Sequence, residues 1–322
     1  MSWSSIALVC IPLLPALAGL VPFRRARTAS VASVGALALA AAAAAYTFWV
    51  AFTSQAPNVA RFALSTLPSR PLSIGFMADR PSASLALLIT GLGWCVLRFS
   101  ARYLQGDPRQ AQFLRGVALT LAAVTALCLA GDVVVLLVAW VATSVLLHRL
   151  LVYYADRPRA VQAAKTKLVF SRLAELCLVA ALLLLVERLG TLELPAMFSR
   201  AQQASTADLA LPALLLVGCA LFKSAQFPFH AWLPDTMEAP TPVSALMHAG
   251  IINAGGFLVI RFSPVVGQVP AALNMLVVVG TLTAVFGAFV MLTQPAVKRS
   301  LAYSTVAQMG FMLLECGLSL FG

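Results

Sequence analysis

Residues Phe222–Arg261 read FKSAQFPFHAWLPDTMEAPTPVSALMHAGIINAGGFLVIR. The stretch sets Lys223, His230, Asp235, Glu238 and His248 within or beside apolar, helix-forming sequence. A charge at membrane depth costs at least ~2.5 kcal/mol on insertion scales, so such groups face a bundle interior or a wet cavity. Pro228 removes a backbone donor soon after Lys223 and breaks the helix, and Pro234, Pro240 and Pro242 follow. Backbone freed at that depth must be satisfied by protein or by water lining a cavity. Lys223 beside a helix break is therefore a candidate proton or ion site. The competing reading is a long stem that snorkels to the interface. Asp235 and Glu238 are either loop charges that cap the next helix or parts of a coupling device. His248 is either a hydrogen-bonded core histidine or a proton carrier.

The rest of the chain has the same apolar character. Of its 322 residues, 61% are hydrophobic and 10% charged, and the mean hydropathy is +0.92. Soluble domains lie nearer half apolar and a quarter charged, so this is a membrane composition. Ten runs have bilayer-spanning length: 4–22, 29–53, 82–103, 115–131, 133–154, 167–187, 208–226, 240–262, 270–292 and 297–320. The expected fold class is all-α integral membrane, with about ten transmembrane helices and the seventh broken. The first run begins Met-Ser-Trp-Ser-Ser and is followed by Arg24, Arg25 and Arg27. That charge order is expected of a retained first helix, not of a cleaved signal peptide. The polar stretches 54–81 and 188–207 read as loops. Strand alternation and aromatic girdles are lacking, which argues against a β-barrel.

Loop charges give an orientation. Fourteen of the 22 basic residues fall at connections from an odd to an even span. They are Arg24, Arg25 and Arg27; Arg98, Arg102, Arg109 and Arg115; Arg149, Arg157, Arg159, Lys165 and Lys167; and Lys298 and Arg299. Arg61, Arg70, Arg80, Arg188, Arg200 and Arg261 are spread over the other side. The excess assigns the first group to the cytoplasm and both ends of the chain to the outside. The net charge of +11 is accounted for by these loops, and no nucleic-acid partner is expected. The six cysteines lie in apolar runs without a CxxC pair or metal spacing, and they read as small packing residues. Arg172 and Glu175, three apart, share a helix face in the sixth span. They satisfy each other or line a polar interior, from which Glu175 can exchange protons with a lysine. His148, next to Arg149, reads as interfacial.

Two motifs carry a family resemblance. FKSAQFPFHAWLPDTMEAPTPVSALMHAG resembles the signature of the proton-conducting antiporter-like subunits of respiratory complex I and of Mrp cation/proton antiporters. VKRSLAYSTVAQMGFM, Val297 to Met312, resembles a second signature of that superfamily. The resemblance implies a fourteen-helix fold with two inverted five-helix repeats, each containing a broken helix, a transporter plan that places the path at midplane. Residues 1–114 would hold the first three helices, 115–262 the first repeat and 263–322 the start of the second, so the chain is C-terminally short of fourteen. The superfamily's broken-helix lysine falls on Lys223, its span-eight histidine on His248, and its span-six acidic residue on Glu175 with Arg172 beside it. These four form the implied proton or cation path. His230, Asp235, Glu238 and Lys298 are implied candidates for coupling at the broken helix and the cytoplasmic side. One departure stands out: the family's Trp-Glu pair, whose glutamate partners the lysine, is here Trp140-Val141.

The variants HAGIINAGGFLVIRFSP and GFMLLECGLSLFG resemble the membrane subunits of DAB inorganic-carbon pumps (DabB). That resemblance implies a multi-pass subunit of the bacterial cell inner membrane that conducts protons or another cation. The flow would drive a cytoplasmic zinc partner resembling a β-carbonic anhydrase (DabA type). Zinc belongs to that partner, since this chain has no closed Cys/His ligand set; no cofactor is expected in the chain itself. Nor does it carry a nucleophile elbow, phosphate loop or nucleotide fingerprint, so it reads as a transporter subunit and not an enzyme. The alternatives are a subunit of NADH-quinone oxidoreductase, a cation/proton antiporter, or a non-conducting membrane scaffold.

Overall fold

The computed structural model describes residues 3–22, 26–54, 57–63 and 73–320. Arg24, Arg25 and Arg70, which entered the charge count, lie outside the described residues. The chain divides into two compact units, 1–153 and 154–322.

The first unit holds α1 (Trp3–Leu20), α2 (Ala26–Thr53), α3 (Arg80–Tyr103), α4 (Gln110–Cys128) and α5 (Val133–Leu151). Alanines at 29, 40, 44 and 51 give α2 a buried face, and small side chains let membrane helices approach closely. The Arg115 guanidinium of α4 donates to the Gly19 carbonyl at 3.0 Å, placing a cation at the negative end of α1. Trp140 of α5 is buried.

The polar stretch 54–81, expected as loop, contains an antiparallel pair, β1 (Asn58–Ala63) and β2 (Ser73–Ala78). The far side of β2 joins the α4–α5 connection: Met77 N–H donates to Leu129 O at 2.8 Å and Gly131 N–H to Gly75 O at 2.8 Å. Asp132 fastens this junction. Its carboxylate caps α5 through Val135 N–H at 2.7 Å and accepts Gly75 N–H at 2.5 Å. Asp132→Ala removes a helix cap and a charge-assisted bond, so it should lower stability by about 2–3 kcal/mol. The thermal midpoint of detergent-solubilised protein measures this; an unchanged midpoint would mean that the carboxylate does not hold the hairpin.

The second unit begins with α6 (Pro158–Leu189), a 32-residue helix. Pro158 sits in its first turn and Gly190, at φ 65°, ends it. Its start lies nine residues before the expected 167, because a helix can continue beyond the apolar run that hydropathy detects. The second polar stretch, 188–207, holds α7 (Leu194–Ala201), with Pro195 in its first turn. Next come α8 (Thr206–Lys223), α9 (Trp232–Asp235), a 3₁₀ turn at Thr236–Glu238 and α10 (Thr241–Leu246). A π-turn at Met247–Ile251, α11 (Ala254–Arg261) and α12 (Ser263–Val266) lead to α13 (Pro270–Thr293) and α14 (Val297–Ser319).

Among the described residues, eight helices are long and apolar enough to cross a membrane. The expected seventh span is broken, as anticipated. The eighth is not one continuous helix: its 240–262 run is interrupted by the π-turn. The tenth corresponds to α14. The described residues thus form a multi-pass, helical membrane protein with one short hairpin.

Candidate functional site

Lys223 is the last residue of α8 and only 5% exposed. Immediately beyond it Ala225 adopts φ 49°, a left-handed conformation costing about 1–2 kcal/mol for a residue with a Cβ. Protein groups satisfy the broken backbone. Gln226 N–H donates to Leu221 O at 3.1 Å, and Phe227 N–H donates to Thr283 Oγ1 of α13 at 3.0 Å. Ser224 Oγ donates to Ile252 O at 3.0 Å, tying the end of α8 to the start of α11. Irregular backbone is tolerated in a bilayer when buried in this way. Phe222 and Phe229 meet with ring centroids 4.6 Å apart and flank Phe170 of α6. These rings tie the broken segment to α6 just beyond the lysine.

Helix α6 packs along α8 and brings the carboxylate. Glu175 is buried, and its Oε2 accepts from Arg172 Nη1 at 2.5 Å, the side chains being 8% and 45% exposed. The pair expected from the i,i+3 spacing therefore forms, with the arginine reaching outward. Glu175 Oε1 is buried without a hydrogen-bond partner among the described residues, which leaves one carboxylate oxygen able to accept a proton. Lys223 lies within electrostatic reach of Glu175.

Two buried cations escaped the sequence reading, Lys167 and Arg261, the latter 5% exposed at the end of α11. Lys167, counted there with the loop residues, lies on the same face of α6 and is 3% exposed. It is within electrostatic reach of Lys223, Glu175 and Arg172. The signal that would have found it is its eight-residue spacing from Glu175, through Ser171.

His248 falls in the π-turn, partly buried, with Nδ1 lacking a hydrogen-bond partner among the described residues. It stands in the field of Lys298. His230 packs in an aromatic cage, stacked on Phe227 and with its centroid 4.6 Å from Phe286 of α13 and 6.1 Å from Tyr303 of α14. Lys298, in the first turn of α14, donates to the carbonyls of Met237 and Ala239. It therefore clasps the connection between the broken helix and α10. The rest of that connection borders a cleft of about 650 Å³, lined by Arg159, Asp235, Glu238, Lys298 and Arg299 among others. The structure thus divides the eight candidates. Glu175 and Lys223 are buried, with Arg172 paired to Glu175 from a half-exposed position. Asp235, Glu238 and Lys298 line a charged cleft. His230 packs against α13 and α14, and His248 falls in the π-turn, in the field of Lys298.

A helical membrane bundle in which one helix breaks after a buried lysine, beside a buried glutamate, defines the antiporter-like class of transport subunits. The chain belongs to the family described as NADH:quinone oxidoreductase/Mrp antiporter, TM, whose model matches residues 130–321. A second family model, described as NADH-Ubiquinone oxidoreductase (complex I), chain 5 N-terminus, matches residues 66–114. The chain is 44% identical over 253 residues to the probable inorganic carbon transporter subunit DabB2 of Halothiobacillus neapolitanus, covering 78% of this chain and 46% of that protein. It is 36% identical over 248 residues to NADH-quinone oxidoreductase subunit L of Mycobacterium tuberculosis, covering 77% and 39%. The structure of an Mrp complex from Dietzia sp. matches with a TM-score of 0.86 and 32% identity, over 98% of this chain and 34% of that one. The chain spans less than half the length of each of these relatives. The superfamily expected from the two motifs, and the likeness to DabB subunits expected from the finer variants, are both met.

Proposed function

We propose that this chain is part of the membrane subunit of an energy-coupled inorganic-carbon uptake complex in a bacterial inner membrane. Protons, or another cation, move through the bundle past Glu175, Lys223 and His248. Their flow drives carbon dioxide hydration or bicarbonate accumulation in a cytoplasmic zinc partner resembling a β-carbonic anhydrase. Zinc chemistry belongs to that partner, and this chain supplies the ion route. Residues 115–262 serve as the first five-helix repeat, and 263–322 open the second.

The observation that carries this reading is the buried Lys223–Glu175 cluster at the broken α8. The identity to a probable inorganic carbon transporter subunit, 44% against 36% for subunit L, supports the carbon branch over the respiratory one. Val141, where the superfamily has a glutamate, points the same way, since it removes a group on which respiratory coupling relies. The cleft lies among connections that the loop charges assign to the cytoplasm, where a coupled partner can reach Asp235, Glu238 and Lys298.

The test is to co-express the full-length protein with a zinc protein of the β-carbonic-anhydrase-like class, in a host that needs elevated carbon dioxide. Growth in air is expected only with both proteins present. Growth restored by the zinc protein alone would overturn the reading. A respiratory subunit would instead co-purify with flavin and iron–sulfur subunits, an outcome that favours the complex I alternative.

A further inference from the structure

Every fourth residue from the start of α6 follows one slanted ridge of the helix, turning about 40° at each step: Arg159, Ala163, Lys167, Ser171 and Glu175. At 1.5 Å per residue the row runs about 24 Å along the axis. Its first two members line the charged cleft. Its last is the buried carboxylate in reach of Lys223. Lys167 sits one turn, about 6 Å, beyond Ala163. It is 3% exposed, and both Glu175 and Lys223 are within its electrostatic reach. Ser171, between Lys167 and Glu175, is also buried, and a hydroxyl both donates and accepts. A charge at this depth is expensive, and a lysine that only snorkelled would carry its ammonium to water.

We propose that Lys167 is the relay joining the charged cleft to the Glu175–Lys223 pair. The proposal rests on proton conduction as stated under Proposed function and adds its cytoplasmic branch. Protonated Lys167 gives its proton, directly or through Ser171, to the Glu175 carboxylate. Lys167 becomes a neutral amine and Glu175 a neutral acid. Glu175 then passes the proton to neutral Lys223 and regains its charge, while water at the cleft reprotonates Lys167. Each step moves one proton and leaves the total charge of the cluster unchanged until the cleft supplies the next. With two amines around one carboxylate, the proton occupancies are coupled.

The fixed-charge alternative makes different demands. Arginine keeps a positive charge and does not deprotonate in proteins, so K167R preserves a counter-ion but abolishes a relay. The experiment uses the full-length protein with its partner subunits in proteoliposomes, and an internal pH-sensitive dye reports proton flux. K167R and K167Q should each lower the flux at least about 10²-fold, the lower end of the range for losing one proton-transfer group. The thermal midpoint of K167R should stay within a few degrees of the parent. Wild-type flux in K167R would overturn the relay in favour of a fixed charge, and wild-type flux in K167Q would remove any role. Should K167Q fail to assemble, K167R alone decides. Lys223→Ala is measured in parallel. If it conducts like the parent, the conducting route itself is wrong. If it is silent while K167R conducts, only the relay falls.

Discussion

Lys223→Ala is expected to stop growth in air of the co-expression strain and to lower proton flux in proteoliposomes by roughly 10²-fold or more, the range for losing a positioned acid–base group. The lysine is buried at the end of α8 and in reach of Glu175. An alanine there provides neither the proton nor the charge that balances the carboxylate. A stability loss alone produces a different pattern. Lys223→Met keeps most of the stem volume, so it should assemble with the proposed zinc partner at parental levels and still fail to conduct. Lys223→Arg keeps the charge without releasing a proton and should fail as well. Conduction by any of the three at the parental rate would remove Lys223 from the route.

Much of this site was legible because its logic is local. Pro228 breaks α8 wherever the chain is placed, and the lysine before it lies at a helix end for the same reason. Arg172 and Glu175 are one helical turn apart, so their pairing follows from spacing alone. Lys167 was not legible from hydropathy. The segment PRAVQAAKTK is too polar for an apolar window, yet α6 runs through it and turns Lys167 to the same side as Glu175. The π-turn at Met247–Ile251 has no proline of its own, and it sits where α11 packs tightly on α8. The β1–β2 pair depends on Gly75 and Gly131, far apart in sequence, meeting backbone to backbone. Features set by a neighbouring turn could be read from the chain, whereas those set by a distant neighbour could not. The cleft belongs to the second kind, since Arg159, Asp235 and Lys298 come from three separate segments.

That dependence on distant contacts makes Gly255 the second residue whose change should have a large effect. A Cβ built on Gly255 would lie 2.2 Å from Ser224 Oγ and 2.7 Å from the Ala220 carbonyl oxygen. The carbonyl belongs to the last turn of α8, and Ser224 already spends its hydroxyl on Ile252 O. The carbonyl cannot yield without moving backbone, and the hydroxyl can yield only by giving up that bond. Gly255→Val must therefore push α11 off the end of α8, pull apart the Ser224–Ile252 bond and shift Lys223 relative to Glu175. Overpacking of this kind costs about 1–3 kcal/mol, and the broken buried bond adds about 1 kcal/mol. Conduction should fall further than stability does, because a shift near 1 Å in a positioned group can cost about 10²-fold. Gly256 is the internal control. The three atoms nearest its Cβ would all belong to the Met312 side chain, with Cε at 2.2 Å, and an unbranched methionine can swing aside. Gly256→Ala should leave flux near the parental value with a small fall in thermal midpoint. Equal loss of flux in Gly255→Val and Gly256→Ala would mean that helix packing in general, and not the seat of Lys223, limits conduction.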